Sequence, residues 1–85
     1  MIGDKSLEQT LQEIGQKLTQ LRKNKGYSSH ENFAFDYNLP RVQYWRMEKG
    51  RANLTIKTLR NLLAIHQLTV EDFFCMIAEA NKHEA

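Results

Sequence analysis

The sequence predicts an all-α protein, on three observations. Apolar residues return every three or four positions in several separate stretches; the good helix formers Leu, Lys, Glu, Gln and Ala are plentiful; and breakers are few, with one proline and four glycines. At 85 residues and 41% hydrophobic content, the chain is expected to form a single domain over 1–85 with one core.

The elements follow in order. Ser6 with Gln9 three residues on makes a capping box, and Leu7, Leu11, Ile14, Leu18 and Leu21 fall on one stripe that stops at Lys25 and Gly26, giving a first helix over about 7–25. Ser28 stands in the same relation to Glu31, and Phe33, Ala34 and Tyr37 form the inward face of a short second helix. Asn38 tolerates a left-handed backbone, and Pro40 pushes Leu39 out of the helical region while suiting the first turn of a third helix, which Gly50 ends. On a wheel of about 100° per residue, Pro40, Tyr44 and Met47 face inward, and Arg41, Val42, Trp45, Arg46 and Lys49 face outward. Thr55 caps a fourth helix with Ile56, Leu59, Leu62, Leu63 and His66 inward, and Thr69 with Asp72 caps a fifth carrying Val70, Phe73, Phe74 and Ile77. From Asn81 to Ala85 the chain has nothing to bury and is expected to fray.

A net charge of +2 excludes a strongly basic tail, so any basic surface must come from local clustering. Such a cluster exists: Arg41, Arg46, Lys49, Arg51, Lys57 and Arg60 face the single acid Glu48 over 41–60. The lone Cys75 leaves no internal disulfide and no thiol pair for zinc, and reads as a small buried or half-buried hydrophobe. His30, His66 and His83 are too scattered for a metal site, with His66 at the edge of the core, and no cofactor is implied. Nothing assembles a nucleophile, a base and a stabilising group, so catalysis is not expected. No apolar run approaches the ~18 residues of a membrane span, and the first residues lack the apolar block of a secretory signal, so a cytoplasmic, membrane-free protein is expected.

The spacing of helices two and three matches a helix-turn-helix over about 28–49. That motif needs a small residue in its first helix, a residue tolerant of positive φ four positions later, and a bulky apolar residue six beyond that. Ala34, Asn38 and Tyr44 hold these places, and Phe33, Tyr37, Leu39 and Met47 supply the flanking inward positions.

From Leu21 to Phe74, about two thirds of the chain, the sequence resembles the five-helix, lambda-repressor-like Cro/C1-type (XRE) family of helix-turn-helix regulators. The marks are Leu21-Arg22 followed by Gly26, Phe33-Ala34, Met47-Glu48-Lys49-Gly50, the loop into Asn53-Leu54-Thr55-Ile56, and Leu68-Thr69-Val70-Glu71-Asp72-Phe73-Phe74. Three departures accompany it: Asn38 stands where the family usually has Gly, Leu54 where Pro is common, and one extra residue lies between Gly26 and Phe33, which leaves Ser28 and Ser29 both open as the cap of helix two.

The resemblance implies double-stranded DNA as partner, with helix 40–49 entering the major groove. By position, Arg41, Val42 and Arg46 would read bases, with Gln43 and Trp45 beside them; arginine suits a bidentate contact to guanine and valine a thymine methyl. Backbone contacts would come from Ser28, Ser29 and His30, from Lys49, Arg51 and Asn53, and from Thr55 and Lys57. Arg22 and Glu48 are implied to form a buried ion pair. A homodimer is expected, because one recognition helix covers too few base pairs for useful specificity. Helix five carries more apolar surface than its own packing needs: Phe74, Met76, Ile77 and Ala80 are the interface residues, Met76 and Ala80 foremost. Two other readings stay open, an antitoxin of a toxin–antitoxin pair and a protein-interaction module anchored by Val42 and Trp45.

Overall fold

The computed structural model describes residues 6–82, which form five α-helices and, among the described residues, no strand: α1 Leu7–Asn24, α2 His30–Asp36, α3 Arg41–Glu48, α4 Ile56–Ile65 and α5 Val70–Lys82. They pack as two units, residues 6–53 with α1 to α3 and residues 54–82 with α4 and α5. Asn81 and Lys82, expected to fray, instead continue α5; the rest of that expectation, residues 83–85, lies outside the described residues.

Local side-chain chemistry starts most of these helices. Ser6 accepts from the Gln9 amide at 3.1 Å while Gln9 accepts from the Ser6 amide at 3.0 Å. Ser29, not Ser28, caps α2, accepting from the amides of Glu31 and Asn32. Thr55 caps α4, and Thr69 and Asp72 cap α5 reciprocally. Pro40 is the residue before α3 rather than part of its first turn, with ψ of 115°, and it is exposed.

α1, α2, α3 and α4 end in one way. Each is followed by a left-handed residue, Gly26, Asn38, Gly50 and Gln67, with φ of 101°, 57°, 71° and 59°. The residue after it donates back into the last turn: Tyr27 to Arg22, Leu39 to Ala34, Arg51 to Arg46 and Leu68 to Leu63, at 2.7 to 3.1 Å. This Schellman closure satisfies carbonyls that a helix end leaves without partners, and it reverses the chain within two residues.

In the first unit α3 packs against both α1 and α2. Ile14, Leu18, Phe33, Ala34, Tyr44 and Met47 are buried, and the Phe33 ring meets those of Tyr27, Tyr37 and Tyr44 at 4.9 to 5.3 Å. Each large side chain buried in this way contributes about 1.5–3 kcal/mol. Gly15 lets α1 approach the end of α3: a Cβ there would lie 2.7 Å from the Met47 carbonyl oxygen. In the second unit α4 packs against α5, and Leu59, Leu62, Leu63, Phe73 and Ile77 are buried.

The wheel overreached at several places. Leu7 and Ile56 are 64% and 62% exposed, because both stand in the opening turns of their helices. Tyr37, His66 and Val70 are half-buried and Phe74 is on the surface; Cys75 is exposed rather than buried. No helix among the described residues is long and apolar enough to cross a membrane.

Candidate nucleic-acid interface

The second helix of the motif is held rigidly by its inner face. Tyr44 and Met47 are 1% and 5% exposed, and Glu48 turns back towards α1. There Arg22 Nε donates to Glu48 Oε2 at 2.8 Å and Nη2 to Oε1 at 3.1 Å, a two-point pair with both side chains buried. Arg22 Nη1 also donates to the Tyr27 carbonyl at 2.9 Å, so one guanidinium ties together α1, the chain entering α2 and the end of α3. Burial works against the Glu48 carboxylate, but the Arg22 guanidinium outweighs it and holds its pKa below the ordinary value of 4.5. The Tyr44 hydroxyl is buried beside this pair without a well-formed hydrogen bond, and burial pushes its pKa far up.

With the inner face so fixed, the outer face is set. Arg41, Val42, Gln43, Arg46 and Lys49 are all exposed, Val42 at 61%. Arg41, Val42, Gln43 and Arg46 line one open groove of about 800 Å³, together with Arg51 and Asn53 from the chain after the helix. Trp45 differs from its neighbours: it is half-buried, and the Arg51 guanidinium lies over its ring, 5.7 Å from the centroid. The wheel alone set Trp45 with the outward residues and gave no sign of Arg51, which lies beyond the helix.

The helix starts differ in their fitness for an anion. At α3 no side chain caps the first amides and no acid stands in the first turn, so unpaired N–H groups and the positive end of the helix dipole point past Arg41. At α4 Thr55 caps, no acid stands in the first turn, and Lys57 is exposed. At α2 the Ser29 hydroxyl already occupies two amides and donates to the Glu31 carboxylate at 3.1 Å, which places a negative charge at that end. Ser28 is exposed, and Ser29 and His30 are half-buried. Of the expected backbone contacts, this group is therefore the least suited to phosphate.

Two aromatic residues escaped the sequence reading. Tyr27 donates its hydroxyl proton to Asp36 at 2.7 Å, which raises its pKa to about 12 and fastens the chain before α2 to that helix's last turn. Phe35 is 85% exposed on α2. Among the expected interface residues of α5, Phe74 and Ala80 are exposed and Met76 half-buried, whereas Ile77 is 8% exposed and has little surface left for a partner. Among the described residues no group of three or more His, Cys, Asp or Glu is placed to hold a metal ion.

A helix-turn-helix whose second helix is locked from behind and presents arginines and unpaired amides in front has the layout of domains that dock a helix in the DNA major groove. The chain is similar to control protein C.MunI of a Mycoplasma species, 35% identical over 61 residues that cover 72% of this chain and 82% of the relative. It belongs to the family of helix-turn-helix regulators that includes this control protein. No family model and no solved structure matches the chain.

Proposed function

We propose that the protein binds specific double-stranded DNA as a homodimer, with α3 entering the major groove N-terminus first. The observation that carries this reading is the outer face of α3, where Arg41, Val42, Gln43 and Arg46 stand exposed around one groove at an uncapped helix start. Arg41 and Arg46 make bidentate contacts to guanine O6 and N7, Val42 packs on a thymine methyl, and Gln43 pairs with adenine. Lys49, Arg51 and Asn53 contact phosphates beside α3, and Thr55 and Lys57 supply a second phosphate site at the start of α4. Two copies are required because one such helix spans too few base pairs to single out a site. The likeness to a protein named for control supports regulation as the role, with binding rather than catalysis as the mechanism.

Selection of bound fragments from a random DNA pool tests the reading. Enrichment of a sequence with two related half-sites is the expected result. Failure to enrich any sequence would remove it and favour a protein-binding role for the exposed Val42.

A further inference from the structure

The only tryptophan of the chain stands at the edge of the reading face, half-buried, with the Arg51 guanidinium over its ring. We infer that Trp45 is a positioning residue that holds Arg51 ready for a DNA phosphate and does not itself read a base. This rests on the DNA-binding reading above.

The backbone supplies the first reason. The Arg51 amide donates to the Arg46 carbonyl at 2.9 Å, directly after the left-handed Gly50, so its side chain starts beside the last turn of α3 rather than on a free loop. The side chain supplies the second. A guanidinium over an aromatic ring is attracted by the ring's negative face, while its N–H donors remain available to a ligand. Among the described residues no acceptor takes a hydrogen bond from this one, and its charge lines the same groove as Arg41 and Arg46. Three arginines around one groove suit a polyanion, and a flat, fork-shaped donor suits phosphate oxygens. The third reason is entropic. An arginine that is free in solution loses rotamer freedom when it grips a phosphate, whereas one already held on a ring has lost part of it beforehand, so more of the contact is expressed as affinity. Trp45 itself is poorly placed to read, being partly covered from below by the protein and from above by Arg51.

Affinities for a selected duplex and a scrambled one, measured over a range of salt concentrations, test this with Arg51→Ala, Trp45→Leu, Trp45→Phe and the Trp45→Leu/Arg51→Ala double variant. Arg51→Ala and Trp45→Leu should each weaken both duplexes alike, by about 2- to 10-fold, and Trp45→Phe, which keeps a ring, should recover most of that loss. The double variant should be no weaker than Arg51→Ala alone. Arg51→Ala should lower the slope of log affinity against log salt by about 0.9, and Trp45→Leu should leave it unchanged. Arg51→Lys, which keeps the charge without altering α3, should weaken binding with the slope retained. In the free protein Arg51→Ala should shift the Trp45 emission. A double variant whose loss is the product of the two single losses, a changed base preference for Trp45→Leu, or an unmoved emission would each overturn the inference. If the parent chain binds no duplex at all, the DNA reading fails first and takes the phosphate role with it.

Discussion

Replacing Gly15 by alanine should destabilise the protein, although the same change at an open position in a helix stabilises by about 1 kcal/mol. A Cβ on Gly15 would lie 2.7 Å from the Met47 carbonyl oxygen and 2.8 Å from the Glu48 carbonyl carbon, and would also meet the Glu48 oxygen. Ordinary contact begins at 3.4 Å, and the Glu48 oxygen is the nearest of the three, so α1 and the end of α3 would have to part by about 1 Å. These neighbours are backbone atoms, which cannot rotate aside as a side chain can. Overpacking costs about 1–3 kcal/mol, and rigid neighbours place this site at the upper end. Offset by the gain in helix propensity, the net loss is about 2 kcal/mol, or about 8–16 °C in melting temperature for a domain of this size. Thermal unfolding followed by circular dichroism, with Gln16→Ala as an exposed control, measures it. A melting temperature equal to or above that of the parent would refute the close approach of α1 to α3.

Glu48→Gln leaves the buried Arg22 charge without its counterion and should cost about 3–5 kcal/mol, far more than the exposed Glu8→Gln; equal melting shifts for the two would contradict the buried pair. Because the native pKa of Glu48 lies below its ordinary 4.5, the stability it contributes is present above that value and is lost as pH falls through the native pKa. Glu48→Gln should therefore flatten the fall in stability measured on acidification below about 4.5, and an unchanged slope would assign the fall to other carboxylates. Gln67→Gly should stabilise by up to about 1 kcal/mol, since Gln67 has φ of 59°; a loss in denaturant midpoint would show that the Gln67 side chain does more than tolerate the turn. A homodimer through α5 predicts that Ala80→Glu, a change on an exposed position, shifts sedimentation from dimer to monomer with helix content unchanged; a parent chain that is monomeric both free and on DNA would sink that interface.

The helix starts were legible because their chemistry is local. Ser6 with Gln9, Thr55, and Thr69 with Asp72 each carry the cap within four residues, and the structure forms those bonds. Gly26, Asn38 and Gly50 marked three of the left-handed ends for the same reason, and Gln67 escaped because glutamine has no preference for that backbone. Periodicity found the faces of the helices but not where their partners stop, so Leu7 and Ile56 were assigned inward although they are exposed. The role of Gly15 was not legible, because what it serves is a carbonyl of a helix about thirty residues away in sequence. At the candidate site the wheel separated Tyr44 and Met47 from Arg41 and Arg46 correctly, because burial of one face dictates exposure of the other. It could not separate Trp45 from the readers, since the group covering that ring comes from residue 51, past the helix end.

In the proposed complex α3 reads base edges through Arg46 while Lys49, one turn nearer the helix end, only grips the backbone. Binding of Arg46→Ala and Lys49→Ala to a selected and a scrambled duplex at several salt concentrations tests it most directly. Arg46→Ala should cost about 1–3 kcal/mol per half-site on the selected duplex and relax preference at one base pair, as the loss of a bidentate guanine contact does. Lys49→Ala should weaken both duplexes equally and reduce the salt slope by about 0.9 for each phosphate contact removed. If Arg46→Ala instead lowers both affinities alike, Arg46 clamps phosphate and the reading face has been assigned to the wrong residues.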